Sequence, residues 1–318
     1  MSLVSVFVTV LLPVIAVSAA GYLLGRFRGV AVEPLNSVAV YVLLPALVFH
    51  SLATTTVGTG TVAKLLGGVG VYVLVMVAVA AAAGRLFDGP GPLAGALVLT
   101  SAFPNSGNYG IPLAEFAFGP AGRDVAVLFL VGQTVLFWTV GVYVVSRGAG
   151  TGWRRALRTV FRLPMPYVVV GALAARWLGV VPPAGSTAMA TLSLVGNAAI
   201  PVMLVVLGVQ LSTVDYAGTA SRIGTATLLK MGVAPLVGVA VALALGFADP
   251  TVARVFVLEA SMPAAVSVLV LLIEVGDGAT VEGVAAADYA SATVFVTTLL
   301  SVPVLTLLLA ALDAGLVV

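Results

Sequence analysis

The stretch PNSGNYGIP, from Pro104 to Pro112, lies in the middle of an apolar segment, and the fold prediction starts from it. Its two prolines cannot donate backbone hydrogen bonds and clash with the preceding helical turn. Gly107 and Gly110 weaken a helix further. The stretch therefore predicts an interrupted helix. Inside a membrane, an interruption is tolerated where protein buries the backbone or where the backbone lines a hydrated cavity.

Three polar side chains of this stretch, Asn105, Ser106 and Asn108, are the groups that such a cavity would display to a substrate. A second, weaker interruption is predicted around Ser261 and Pro263. The helix after each interruption begins with free N–H groups and a partial positive charge, so two such ends form a site for an anion such as a carboxylate. The alternative is that the prolines kink continuous helices and that the asparagines bridge neighbouring helices.

The composition around this stretch is that of a membrane protein. Of 318 residues, 61% are hydrophobic and 8% are charged, whereas soluble domains carry about 25% charged residues. The absence of cysteine and the single histidine exclude disulfides, thiolate nucleophiles and histidine-rich metal sites. A net charge of +2 gives no basic surface for nucleic acid. We therefore expect no enzyme activity, no metal, no cofactor and no nucleic-acid partner.

An intramembrane aspartyl protease is also disfavoured. Its Gly-x-Gly-Asp pattern fails in the EVGDG stretch, because Glu274 stands where the first glycine is needed.

Apolar stretches of about 20 residues, the length that crosses the hydrocarbon core, divide the chain into ten predicted spans. In chain order they are 3–25, 34–53, 62–84, 92–118, 125–146, 163–179, 188–211, 221–246, 251–273 and 284–312. The expected fold class is an all-α polytopic membrane protein of ten transmembrane helices, in which helices 4 and 9 are broken.

The two halves of the chain repeat one another. Three residue pairs recur at nearly one offset: Pro45 with Pro201 at 156, Pro104 with Pro263 at 159, and Glu115 with Glu274 at 159. Such recurrence indicates duplication. Because each half has five spans, the second half enters the membrane inverted, as in many secondary transporters. We expect one repeat at 1–146, a cytoplasmic basic linker at 147–162 and an inverted repeat at 163–318.

The motif PNSGNYGIPLAEFAFG, from Pro104 to Gly119, resembles the span-4 crossover of the auxin efflux carrier family, which has Pro-Asn, then Gly-Ile-Pro-Leu and a terminal glycine. Gln133 stands where that family has a glutamine in span 5. LLPALVFH, ending at His50, resembles its span-2 run, and MPAAV, from Met262, resembles its span-9 crossover. With its short central linker, the chain is similar to the prokaryotic short-loop members.

The resemblance implies that spans 1, 2, 6 and 7 form a scaffold and that spans 3–5 and 8–10 form a moving transport domain. It also implies a homodimer through the scaffold, in the lipid bilayer, with a small organic anion at the crossover. Pocket residues would then include Gln133, Ser261, Pro263 and Ala264. Ala264 and Ala265 stand where polar residues are expected, which leaves the substrate undefined.

The expected function is a secondary transporter of a small carboxylate anion that works by elevator-type alternating access. The alternative is a sodium- or proton-coupled symporter or antiporter of a related inverted-repeat fold, with a different substrate. In that alternative, carbonyl groups at the same interruptions would hold the cation.

Glu259 lies inside predicted span 9, where a charged side chain costs about 2.5 to 3.5 kcal/mol on insertion scales. It either carries a coupled proton or forms an ion pair with Lys230 of span 8, and the sequence leaves both open. His50 is a third candidate for coupling or gating, with a hydrogen-bonded packing role as its alternative.

The distribution of Lys and Arg predicts the orientation, because short cytoplasmic loops retain positive charge. With the N-terminus outside, nine of the fourteen fall in inner loops: Arg26, Arg28, Arg85, Arg147, Arg154, Arg155, Arg158, Arg162 and Arg222. Four fall in outer loops: Lys64, Arg123, Arg176 and Arg254. We therefore expect a multi-pass protein of the cell (plasma) membrane with both termini extracytoplasmic.

Single cysteines test this orientation, because the native sequence has none. We expect a membrane-impermeant maleimide to label Ser2→Cys and Val318→Cys in intact cells. Thr151→Cys, in the predicted cytoplasmic linker, is the control and should be labelled only after permeabilisation. Labelling of the two terminal cysteines only from the cytoplasmic side would contradict the orientation.

Overall fold

The computed structural model describes residues 3–55, 57–88, 93–149, 164–212, 223–275, 280–281 and 284–318. Within these ranges the chain forms helices and one pair of very short antiparallel strands. The helices are α1 Leu3–Arg28, α2 Val32–Thr54, α3 Thr59–Leu86, α4 Leu93–Ala102, α5 Ser106–Val145, α6 Met165–Trp177, α7 Thr187–Ser212, α8 Gly224–Leu245, α9 Pro250–Ala260, α10 Ser267–Val275 and α11 Ala286–Asp313. The strands are β1 Thr280–Val281 and β2 Val284–Ala285.

Seven helices in the described part of the chain are long and apolar enough to cross a membrane: α1, α2, α3, α5, α7, α8 and α11. The all-helical, polytopic architecture expected from the sequence is present, apart from the two short strands. The other helices are short. Of these, α4, α9 and α10 each end or begin at an interruption, and α6 adjoins residues outside the described ranges.

The chain leaves helical geometry within α5, at Gly119. Its φ of 67° and ψ of −160° define a backbone conformation that is essentially restricted to glycine. Pro120 follows and has no N–H to donate. This break separates residues 106–118 from residues 120–145, between the segments predicted as spans 4 and 5.

Helices α1 and α7 pack with their backbones in contact. Gly21 and Gly25 are spaced by four residues on α1, the small-xxx-small pattern that lets membrane helices approach closely. A Cβ on Gly21 would lie 2.9 Å from the Cα of Val205, and a Cβ on Gly208 would overlap the carbonyl oxygen of Ser18. The close approach therefore requires glycine on both helices.

The remaining contacts place α2 against α6 and α7, while α3, α4, α5, α8, α9 and α11 pack around the interruptions. A row of buried rings joins three helices of this second set. The ring of Phe129 on α5 lies 6.4 Å from that of Tyr72 on α3 and 5.5 Å from that of Phe256 on α9, centroid to centroid. These rings pack beside the interrupted segments.

Some of the sequence predictions fall on residues outside the described ranges. The basic linker predicted at 147–162 lies outside these ranges from residue 150 onward. Arg222 and Asp277, the aspartate of the EVGDG stretch, also lie outside them. The side chains of Arg147 and Glu274 also lie outside the description.

The break at Gly119 predicts a stability difference between two glycines. Both Gly119 and Gly70 have open space where a Cβ would lie, but only Gly119 has a positive φ. Gly119→Ala should therefore lower the free energy of unfolding by roughly 1 to 3 kcal/mol. Gly70→Ala, inside α3, should leave it unchanged or raise it slightly, because alanine favours a helix. Unfolding curves of the purified proteins in detergent measure both, and equal stability of the two variants would contradict the strain at Gly119.

Candidate functional site

The two interruptions cross and hydrogen bond to each other. The backbone N–H of Asn105 donates to the carbonyl oxygen of Pro263 at 2.8 Å, and the N–H of Ala265 donates to that of Phe103 at 3.0 Å. Pro104 thereby lies opposite an alanine, Ala264, in an isolated antiparallel bridge. Both helices are thus interrupted where the sequence predicted, and they are not continuous kinked helices. Residues 103–105 and 261–266 are called the crossing below.

The interruption between α4 and α5 is shorter than the sequence predicted. Gly107, Gly110 and Pro112 were expected in unwound backbone, but the chain is helical again from Ser106 onward. Pro112 follows a π-helical turn, Ser106–Gly110, at the start of the renewed helix, in which the N–H of Ile111 bonds to the carbonyl oxygen of Ser106 five residues earlier. This departure from the α-helical pattern accommodates a residue without an N–H. Only the residues up to Asn105 are therefore extended.

Asn105 immediately precedes the renewed helix. Its side chain is buried, with 5% exposed, and its amide nitrogen has no hydrogen-bond partner among the described atoms. Buried polar groups are normally paired. A donor of this kind at a helix N-terminus is suited to an anionic acceptor, since the backbone N–H groups of the first turn add to the same positive end.

Ser106 and Gln133 are brought together by the fold, as the shared pocket prediction requires. The Ser106 hydroxyl donates to Gln133 Oε1 at 2.8 Å, and Gln133 Nε2 donates to the carbonyl oxygen of Pro104 at 2.8 Å. Gln133 lies beyond the break at Gly119, so these bonds tie the second part of α5 to the crossing.

The residues predicted at the second interruption are engaged in hydrogen bonds within the protein. The Ser261 hydroxyl donates to the carbonyl oxygen of Val257 in its own helix, at 2.7 Å. The N–H of Ala264 donates to Thr297 Oγ1 at 3.2 Å. Asn108 is half-buried on the renewed helix. Of the polar candidates at the crossing, Asn105 is therefore the one with a buried donor atom that has no partner.

Helix α11 contributes polar groups that the sequence analysis missed. Thr293, Thr297 and Ser301 are all fully buried, and the hydroxyl oxygen of Ser301 lies 3.2 Å from that of Tyr109 on α5. Their spacing of four residues places these hydroxyls on one helix face. That spacing inside an apolar span is the signal that would have identified them.

The side chain of Lys230, on α8, reaches the C-terminal end of α9. Its ammonium group lies 3.1 Å from the Tyr72 hydroxyl and 3.5 Å from the carbonyl oxygen of Ala260, to which Tyr72 also donates at 2.7 Å. A positive charge is favourable at a helix C-terminus, where carbonyl groups lack helical partners. No ion pair joins Lys230 to Glu259 among the described residues, so the predicted pairing is not formed.

Glu259 lies one residue before the end of α9 and is completely buried. Neither carboxyl oxygen has a hydrogen-bond partner in the described structure. The carboxyl group lies directly against Gly110, where a Cβ would come within 2.6 Å of Oε1 and 2.7 Å of Cδ. Gly110 therefore leaves the space that the carboxyl group occupies, and a side chain there would have to displace the end of Glu259.

His50 lies away from the crossing, near Arg123 and Asp124. Arg123, which the sequence analysis placed in an outer loop, is buried with 9% exposed. Its Nη1 donates to Asn197 Oδ1 at 2.9 Å, and its Nε lies 3.5 Å from Glu115 Oε2 and 3.7 Å from Asp124 Oδ1. This cluster links α5 to α7.

Metal-binding side chains are not gathered in this region. In the described ranges, no three His, Asp or Glu side chains form a possible metal site.

Related sequences match most of the length of the chain. Residues 6–152 and 160–309 match the family model described as "Membrane transport protein". An "Uncharacterized transporter" of Methanothermobacter thermautotrophicus is 30% identical over 181 residues, which are 56% of this chain and 57% of that relative. The chain thus matches just over half the length of this relative. A "Putative malonate transporter" of Rhizobium meliloti is 29% identical over 317 residues, 96% of this chain and 95% of the relative.

The contact between Gly110 and Glu259 predicts that alanine is tolerated less well at Gly110 than at Gly107, in the same helical turn. Gly110→Ala should destabilise the protein by about 1 to 3 kcal/mol, as overpacking usually does. Gly107→Ala is the control, because a Cβ there would meet Leu130 at an ordinary 3.8 Å. Thermal unfolding in detergent measures both.

A third variant checks the cause. In a Glu259→Ala background the Gly110→Ala penalty should shrink, since the colliding atoms are gone and contacting sites are not additive. An unchanged penalty would show that the carboxyl contact is not responsible.

Proposed function

Because the chain belongs to the membrane transport protein family, the auxin efflux carrier family that its crossover motif resembles, we propose that it moves a small carboxylate anion across the membrane. It is a multi-pass integral membrane protein. The observation that carries the proposal is the crossing, with the unpartnered Asn105 amide at its edge.

The two helices that begin at the crossing bring positive N-terminal ends that favour an anion, while α4 and α9 end there with negative C-terminal ends. The helix that begins at Ser106 directs its N-terminus to the crossing, and α10 begins one residue after it. Helix N-termini attract anions through their free N–H groups. The Lys230 amino group lies at the Ala260 carbonyl oxygen, with no acid paired to it among the described residues, and adds a positive charge there when it is protonated.

The sodium-coupled alternative has less support from the same contacts. Sodium would need free carbonyl oxygens at the interruptions, in the manner of other transporters with broken helices. The carbonyl oxygens of Phe103, Pro104, Ala260 and Pro263 all accept hydrogen bonds from other groups of the protein. A sodium ion would have to use the remaining carbonyl groups of residues 261–266, whereas an anion can use the unpartnered amide donor of Asn105.

Alternating access by an elevator motion is part of the proposal. We propose ten spans in two inverted repeats, with α4 and residues 106–118 as span 4, and α9 with α10 as span 9. The scaffold would be α1, α2, α6 and α7, and would also form the homodimer. Supporting this division, α1 packs tightly on α7, and α2 packs on α6 and α7. Extracytoplasmic termini and a plasma-membrane location belong to the same proposal.

Malonate is the first substrate to test, because the relative from Rhizobium meliloti that aligns over 96% of this chain carries malonate in its name. Malonate is a small carboxylate, the class that the donors at the crossing favour. Acetate and succinate are suitable companions, since they vary the number and spacing of carboxyl groups.

We expect proteoliposomes containing the protein to exchange labelled malonate in a counterflow assay. Asn105→Ala should weaken malonate binding about tenfold to a hundredfold, because a hydrogen bond to a charged group contributes roughly 1.5 to 3 kcal/mol. Thermal-shift titration of the purified protein gives the affinity, since a ligand of the native state raises its stability.

Asn36→Ala is the matched control, because Asn36 lies near the start of α2 and away from the crossing. It should bind malonate like the parent. Parent-like binding by Asn105→Ala would show that the amide does not contact the substrate, whereas failure of this variant to fold would mark Asn105 as structural. Absence of counterflow with malonate, acetate and succinate would contradict the carboxylate proposal.

A further inference from the structure

The Glu259 carboxyl group lies at the crossing, and in the described structure neither a hydrogen bond nor an ion pair accounts for it. Both oxygens are buried without a partner. They lie against Gly110, in the first helical turn after the crossing, so that a side chain at position 110 would overlap them. The carboxyl group therefore lies beside the first turn of this helix, close to the positive N-terminal end at which a substrate anion is proposed to bind.

The donors beside this carboxyl group are already engaged. The Ser106 hydroxyl is next to it but donates to Gln133, and the Gln133 amide donates to Pro104. A hydroxyl has one proton and two acceptor lone pairs. Ser106 can thus accept a hydrogen bond from a carboxylic acid at Glu259, but it cannot donate to a carboxylate without releasing Gln133.

The charged groups on the helices around α9 leave Glu259 without a counter-charge. α9 packs against α3, α5, α8 and α11. The buried titratable groups on these helices are Tyr72 on α3, Tyr109 and Arg123 on α5, Lys230 on α8 and Tyr289 on α11. Lys230 and Tyr72 are bound at the Ala260 carbonyl, and Arg123 is beside Glu115 and Asp124. Among the described residues, none forms an ion pair with Glu259.

We propose that Glu259 binds the proton that accompanies the substrate, so that the protein is a proton–carboxylate symporter. This inference rests on the proposed function above. An ionised Glu259 would repel a second carboxylate at the same N-terminal end, whereas the protonated acid leaves that end free for the anion and donates to Ser106. Proton and anion then raise each other's affinity by the same factor. The proton binds on one side of the membrane and leaves on the other, and only the O–H bond of Glu259 is formed and broken.

Two transport assays in proteoliposomes test the inference, and both use labelled malonate as the probe. Counterflow without an ion gradient measures transport alone, and accumulation driven by a pH gradient measures proton coupling. We expect the parent to show both. Glu259→Gln should keep counterflow, lose pH-driven accumulation and lose the dependence of counterflow on pH. Glu33→Gln is the matched control, because Glu33 is exposed at the start of α2, and it should behave like the parent.

The results distinguish proton coupling through Glu259 from the proposed carboxylate transport. Parent-like accumulation by Glu259→Gln overturns the inference, and so does accumulation by the parent that requires a sodium gradient instead of a pH gradient. Parent counterflow without pH-driven accumulation overturns the inference alone. No counterflow by the parent overturns the proposed function and the inference with it.

A second measurement applies even if Glu259→Gln does not fold. Malonate is added to the parent protein in weakly buffered detergent solution at a series of starting pH values. It should raise the pH wherever Glu259 is ionised in the unliganded protein, with uptake of up to about one proton per anion bound. An unchanged pH at saturating malonate for every starting pH would overturn the inference.

Discussion

The structure depends on one constraint, which is that backbone N–H and C=O groups removed from water must hydrogen bond within the protein. The two interrupted helices each expose such groups in the interior. They satisfy them through the pair of bonds between Asn105 and Pro263 and between Ala265 and Phe103. Neither interruption can therefore be understood alone, and the two halves of the chain must meet at this point.

Glycine allows the surrounding helices to reach the crossing, for two different physical reasons. At Gly119 the backbone adopts a conformation that side chains oppose, and the chain turns from residues 106–118 into the second part of α5. At Gly110 the backbone is helical and the requirement is space, because the Glu259 carboxyl group occupies the position of a Cβ. Gly119 allows the chain to change direction, and Gly110 leaves room for the Glu259 carboxyl group.

Buried charge is distributed unevenly around the crossing. Lys230 caps the end of α9 together with Tyr72, while Glu259, one residue from that end, faces the renewed helix instead. Arg123 and its acidic neighbours lie together elsewhere, between α5 and α7. Since an unpaired ion in an apolar interior is costly, the proton-binding role proposed for Glu259 rests on its lack of an ion pair with Lys230.

The sequence by itself determined the class of protein and the two interruptions, because apolar length and proline act locally along the chain. Asn105 and Ser106 were predicted as pocket residues from the interruption and Gln133 from the family resemblance, and the fold brings Gln133 to Ser106. Only the tertiary structure decided that the unwound backbone stops at Asn105, that Gly110 contacts Glu259, that Lys230 binds Tyr72 and that Arg123 is buried. These outcomes depend on which residues from distant parts of the chain meet in space, and no local pattern specifies the distance between two such side chains.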